Sequence, residues 1–226
     1  MLSVSPVRWR GVLTAVALTV GCVLARPVWA GAQAEEPLAD SVRTALAAAV
    51  NRAAPPVPVF ADQAQRESFE RWAAAAGERL KKRKPEEQVR REFLQTVWYE
   101  AKRAGLEPSL VLGLIQVESG FRKYAISSVG ARGYMQVMPF WSRVIGTGDP
   151  STLFHPQANL RFGCIILRHY LDVERGNLFL ALGRYNGSRG RAEYPNAVFG
   201  AWRQWNLTDD ARVQVADSGL SRGTNR

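Results

Sequence analysis

After residue 85 apolar side chains recur at helical spacing, and no stretch alternates in the strict two-residue rhythm of a strand. Val89, Phe93, Val97 and Ala101 fall four apart, with Leu94 and Trp98 beside them, so they form one apolar stripe on a helix. Pro85 stands at the start of that helix, Glu86 and Glu87 occupy its first turn, and Gly105 ends it. Pro108 opens a second helix running through Glu118. Its residues Leu110, Val111, Leu112, Leu114, Ile115 and Val117 are apolar nearly all round, which predicts a buried central helix. Further helices are expected over Pro139–Ile145, Pro156–Glu174, Leu178–Tyr185 and Tyr194–Trp205, the last with Val198, Trp202 and Trp205 turned inward. Gly146 and Gly176 act as stops. The fold class is therefore all-α, built around one central apolar helix.

The segments before residue 89 differ in composition. Arg8 and Arg10, the apolar run Gly11–Ala25 and the small residues at Ala30 and Gly31 predict a secretory signal peptide over residues 1–30. Residues 31–60 are rich in Ala and Pro and read as a linker, with a weak helix near Val42–Arg52. Residues 61–88 read as a helical extension that closes in Lys81-Lys82-Arg83-Lys84. Residues 89–206 make up the main domain, and residues 207–226 form a polar, flexible tail.

Composition and charge narrow the setting. Apolar residues make up 46% of 226, enough for one domain with a core. The formal charge is +10, and loss of residues 1–30, with three arginines and no acid, lowers it to +7. A basic surface suits an anionic polymer, and export argues against nucleic acid as that partner. Cys22 lies in a sequence like a lipoprotein box, Thr19-Val20-Gly21-Cys22, so a lipid anchor at Cys22 and membrane association stay open beside ordinary cleavage. Cys164 is then the one remaining thiol and reads as a core packer. His155 and His169 are isolated, so neither a metal site nor a cofactor is expected.

The chemistry concentrates in Gln116–Pro139. The apolar helix ends in one carboxylate, Glu118, where burial and the negative helix end both disfavour ionisation. A carboxyl that keeps its proton near neutral pH suits a general acid. Gly130 and Gly133 allow tight turns in the loop that follows, and Ser127, Tyr134 and Gln136 bring hydrogen-bonding groups. Tyr185-Asn186-Gly187 ends a later helix with a phenol and an amide. No second acid accompanies Glu118 in the loop; Asp149, Asp172, Glu174 and Glu193 lie elsewhere in the domain.

Glu118-Ser119-Gly120-Phe121, Ser127, Gly130-Ala131-x-Gly133-x-Met135-Gln136-x-Met138-Pro139, Asn159 and Tyr185-Asn186, in this order and spacing, resemble the soluble-type lytic transglycosylase family. The resemblance covers roughly residues 90–205. It implies a lysozyme-like helical catalytic domain, carrying an N-terminal helical extension, that cuts peptidoglycan glycan strands in the periplasm or cell envelope. Glu118 would be the single acid/base. It would protonate the oxygen linking N-acetylmuramic acid to N-acetylglucosamine, then take the proton of the muramic C6 hydroxyl as that oxygen attacks C1. A 1,6-anhydro end results, with the substrate's acetamido group steadying the oxocarbenium charge in place of a second carboxylate. Ser127 would orient the acetamido group or Glu118, and Gln136, Met138, Tyr185 and Asn186 would line the cleft. The family commonly reads Ala-Tyr-Asn-Ala-Gly where this chain has Arg184-Tyr185-Asn186-Gly187-Ser188, and Glu193-Tyr194 matches only loosely the family's acidic–aromatic element. Two alternatives use the same cleft: a goose-lysozyme-like hydrolase, and a non-catalytic wall-binding protein.

Overall fold

The computed structural model describes residues 33–51 and 60–206. The expected signal peptide, Cys22, the Pro55–Pro58 stretch and the tail lie outside the described residues. Among the described residues eight α-helices follow one another: α1 (Asp40–Asn51), α2 (Gln63–Leu80), α3 (Glu87–Arg103), α4 (Pro108–Ser119), α5 (Phe140–Ile145), α6 (Pro156–Val173), α7 (Leu178–Asn186) and α8 (Glu193–Trp205). A short 3-10 turn, Pro150–Phe154, precedes α6. Among the described residues extended pairing is limited to two isolated bridges, Ile126 with Arg132 and Arg132 with Val137.

Helix α4 is the core element, as its all-round apolar pattern predicts. Leu112, Leu114 and Ile115 are fully buried, each contributing about 1.5–3 kcal/mol through removal of apolar surface from water. Pro108 sits at its first turn, and Gly120, in the left-handed region at φ 57°, ends it. Helix α8 crosses α4 closely at Gly113, where a β-carbon would lie 2.7 Å from the Trp202 backbone nitrogen. Only a residue without a side chain lets the two backbones approach this far.

Two expectations change at α3. The helix begins at Glu87, so Pro85 stands ahead of the cap rather than inside the first turn. Val89, expected in the apolar stripe, is exposed at the helix's outer end. Arg90 is buried in its place because its guanidinium has work there: Nη1 donates to the Lys84 carbonyl at 2.8 Å and to that of Pro85 at 3.0 Å. From Phe93 to Ala101 the stripe is buried as expected. In α2, the Asp62 side chain caps the helix by accepting from Gln65 N–H at 2.8 Å. The Trp72 indole of that helix reaches Ser109 at 3.2 Å, and Trp72 packs with Phe69 and Trp98.

Residues 33–51, read from composition as linker, are an ordered part of the body. Helix α1 packs on α5 and α6 and buries Val50. Its last carbonyls, unpaired within any helix, are taken by two arginines: Arg103 donates to Ala49 and Arg161 to Val50 at 3.3 Å. The buried Glu100 carboxylate holds both arginines, at 3.0 Å from Arg161 and 3.4 Å from Arg103. Cationic groups at a helix C-terminus are favourable. The partners that hold α1 lie at least fifty residues away, so composition alone does not reveal the docking.

Candidate active site

Glu118, one residue before the end of α4, is only 1% exposed. Its Oε1 accepts a hydrogen bond from the hydroxyl of Tyr194, which α8 brings in at its first turn. Tyr194 is itself fully buried. Burial, and then the neighbouring Glu118 charge, push its phenol well above the ordinary range, so it remains a donor at any physiological pH. Tyr185, at the end of α7, is also fully buried and feels the Glu118 charge. Its hydroxyl donates to the Met135 carbonyl at 2.7 Å. Three helix ends therefore converge: the carboxylate from α4, a phenol that holds it from α8, and a phenol from α7 that fastens the opposite loop.

That loop, residues 120–139, is shaped by polar side chains rather than by regular structure. Ser119 donates to the Tyr134 carbonyl at 2.7 Å. Asn159, from the first turns of α6, accepts from Met135 N–H at 2.8 Å and donates to the carbonyls of Arg132 at 2.8 Å and Leu153 at 2.9 Å. Gly133, at φ 74°, passes so close beneath that a β-carbon would sit 2.6 Å from the Leu153 oxygen. Here both the backbone angle and the space require glycine.

The expected site residues divide into two groups. Tyr185 and Asn186 lie at the end of α7, and Met138 lies partly buried against the core. The Asn186 amide nitrogen donates to Ser188 at 3.1 Å, while its buried Oδ1 has no protein partner. A buried acceptor without a donor is costly, and a ligand hydroxyl or amide would satisfy it. Ser127 and Gln136 are engaged inside the loop. Ser127 Oγ accepts from Ala131 N–H at 3.0 Å. Gln136, buried and at φ 47°, donates to the carbonyls of Gly133 at 2.9 Å and Ala125 at 3.2 Å. Both residues shape the loop.

Sequence reasoning gave Tyr194 only a loose match to the family's acidic–aromatic element, with no role beside Glu118, and passed over Gln33. Gln33 is buried, and its Oε1 accepts from the Trp141 indole at 2.9 Å, with Met138 N–H at 3.5 Å. Nothing in its neighbourhood in the sequence marks it.

Arg184 is held by Glu174, which also pairs with Arg189 at 2.6 Å. The Arg189 and Arg184 guanidiniums keep the Glu174 carboxyl low, at about 2. Two surface grooves, one between α2 and α3 and one of about 600 Å³ beside α1, include neither Glu118 nor its tyrosines. Cys164 is fully buried, and burial raises its thiol well above the ordinary range, in keeping with core packing. Among the described residues no three His, Cys, Asp or Glu side chains cluster as metal ligands, and no helix is long and apolar enough to cross a membrane.

The Transglycosylase SLT domain model matches residues 95–206, from within α3 through α8, and so spans Glu118, Tyr185, Asn186, Tyr194 and the loop 120–139. Residues 95–206 belong to the transglycosylase SLT family. Relatives include the membrane-bound lytic murein transglycosylase C of Actinobacillus pleuropneumoniae serotype 5b, 40% identical over 85 residues, which are 34% of this chain and 23% of that protein. The protein of the same name from Haemophilus influenzae strain PittEE is 36% identical over 115 residues, 44% of this chain and 32% of that one. The transglycosylase of Enterobacteria phage PRD1 is 31% identical over 103 residues, covering 46% and 37% of the two chains. The chain thus spans about a quarter to a third of the length of these curated relatives. Among solved structures, an inactive mutant of the lytic transglycosylase Slt of Pseudomonas aeruginosa aligns at 24% identity and a TM-score of 0.47, over 66% of this chain and 30% of that one.

Proposed function

We propose that this protein is a peptidoglycan lytic transglycosylase of the cell envelope, with Glu118 as its single acid/base. The observation that carries this reading is the buried Glu118 carboxylate held by the Tyr194 hydroxyl at the meeting point of three helix ends, inside an SLT domain. Glu118 gives its proton to the oxygen between N-acetylmuramic acid and N-acetylglucosamine as the C1–O bond breaks. The carboxylate left behind then removes the proton of the muramic C6 hydroxyl, and that oxygen closes on C1. Bonds and protons balance, and the enzyme returns to its starting state with no water consumed. One carboxylate suffices, unlike the paired acids of most glycosidases. Met138, Tyr185 and Asn186 line the cleft, the open Asn186 Oδ1 serving as an acceptor for the sugar. Ser127 and Gln136 act on substrate indirectly, by holding the loop that carries Met138. Tyr194 is a positioning residue: it fixes the carboxyl's rotamer and steadies the anion between the two steps.

Digestion of purified peptidoglycan followed by mass analysis of the fragments tests the reading. Anhydro ends are lighter than hydrolytic ends by one water and resist borohydride. Fragments bearing only reducible muramic ends would instead make the protein a hydrolase of the goose-lysozyme kind, and no fragments at all a wall-binding protein.

A further inference from the structure

The extended segment before α1 touches residues that the reading above assigns to the substrate cleft. Gln33 seats its side-chain carbonyl on the Trp141 indole N–H at 2.9 Å, with Met138 N–H at 3.5 Å, and it bears on the Tyr185 phenol. Glu35 faces Arg143 at 3.9 Å, and Glu36 accepts from Arg184 at 3.0 and 3.2 Å. Three side chains of the segment thus reach Met138, Trp141 and Arg143 at and beside α5, and Arg184 and Tyr185 of α7. The chemistry of the segment is specific. A primary amide presents a carbonyl oxygen to two converging N–H donors, and a carboxylate nearby rests on a guanidinium. A muramoyl peptide offers the same two groups, an acetamido carbonyl and a carboxylate.

We propose that Gln33–Glu36 is a built-in competitor for the glycan, its Gln33 carboxamide occupying a seat for a sugar acetamido group and its Glu36 carboxylate covering the arginine that receives a substrate carboxylate. The proposal rests on the function given above. It assigns Trp141 and Arg184 to substrate recognition and makes the strap a brake on binding.

The strap is held weakly enough to leave. Gln33 Oε1 has one bond of ordinary length, from the Trp141 indole at 2.9 Å, and its second, from Met138 N–H, is long at 3.5 Å. Arg143 and Glu35 are each 58% exposed, so their pair contributes little and is screened by salt. The firm attachment lies further on, where Arg103 and Arg161 hold the end of α1. Release of residues 33–36 therefore needs no undocking of α1, and the segment stays tethered beside the cleft, ready to return.

The test compares the chain with its Gln33→Ala/Glu36→Ala variant, using Asp40→Ala, at an exposed position of α1, as control. Binding is read by co-sedimentation with intact peptidoglycan sacculi in a Glu118→Gln background, and KM and kcat on solubilised glycan strands in the active background. The double variant should bind about three- to ten-fold more tightly, with KM falling equally and kcat unchanged; that is the change expected if the strap is seated in about two-thirds to nine-tenths of molecules. The control should not differ from the parent. A merely structural strap would give the opposite sign, weaker binding with a lowered melting temperature. Unchanged or weaker binding overturns the proposal. Absence of anhydro products from the parent would remove the catalytic reading alone, because the sedimentation comparison does not depend on turnover.

Discussion

The two walls of the site are held by different forces. One wall is made of helix ends. Glu118, Tyr185 and Tyr194 arrive on α4, α7 and α8, whose positions are set by apolar packing and by the close crossing at Gly113. The other wall is the loop 120–139, without regular structure beyond two bridges, and its shape comes from Ser119, Asn159 and Gln136 bonding to its backbone. Many small, non-directional contacts fix the helix wall, so one polar change there should alter chemistry and leave the fold. A few directional bonds fix the loop wall, so one steric change there should alter the fold and, through it, binding.

Glu118→Gln is the sharpest way to break this contrast. It keeps the volume and the contact to Tyr194 but removes the transferable proton. Activity on sacculi should fall by about 10²–10⁴, while the melting temperature and sacculus binding stay near those of the parent. Retained activity would take Glu118 out of the mechanism. A large drop in melting temperature would show that the helix wall depends on its polar pair after all.

Tyr194→Phe is the next largest. It deletes one hydroxyl beside a carboxylate and leaves the ring packed. A hydrogen bond to a charged group is worth about 1.5–3 kcal/mol, so kcat should drop by about ten- to a hundred-fold with KM little changed. The pH profile should shift as well, because Glu118 loses a donor that favours its anion. A fall in kcat with an unmoved profile would mean that Tyr194 acts through packing alone.

How much of each wall the sequence discloses follows from the same contrast. Packing leaves periodic traces, so α3 to α8 and the central place of α4 are readable from spacing. The exceptions are instructive: Val89 fits the period and is exposed, because the buried place goes to Arg90, which serves backbone carbonyls that spacing does not register. The loop wall is readable only by residue type. Gly130, Gly133, Ser127 and Gln136 announce a turn-rich polar site, yet not that the last two spend their bonds inside the loop. The strap leaves no trace at all, since an extended polar segment has no period and its partners lie more than a hundred residues away.

Gly133→Ala tests the loop wall directly. The new methyl must enter at φ 74° against the Leu153 carbonyl and the Asn159 amide. Overpacking of this kind costs about 1–3 kcal/mol, to be seen as a lower urea midpoint. KM should rise more than kcat falls, because the loop carries Met138 rather than the acid. A variant that keeps its stability would show that the loop yields easily and that the polar staples do not fix it.

The smallest effect sits behind the loop, at Lys84. Its ammonium donates to the Tyr134 hydroxyl at 2.6 Å and lies 4.6 Å from the Phe93 ring centre and 4.5 Å from that of Tyr134. Burial, helped by Lys123, lowers its pKa from 10.5 to about 8. Burial raises the Tyr134 phenol from 10.0 to about 12, with Tyr124 adding to the shift. Between about pH 8 and 10 the unfolded chain therefore holds the Lys84 proton more fully than the folded one, and stability through this group must rise with pH. Above about pH 10 the tyrosine acts in the other direction, because the unfolded phenol ionises first and stability falls. Lys84→Met removes only the first term. The urea midpoint of the parent, relative to that of the variant, should climb from about pH 8 to about pH 10 and level off beyond. A flat difference over that window would mean that the ammonium keeps its water in the folded state and that the aromatic wall behind Tyr134 is open to solvent.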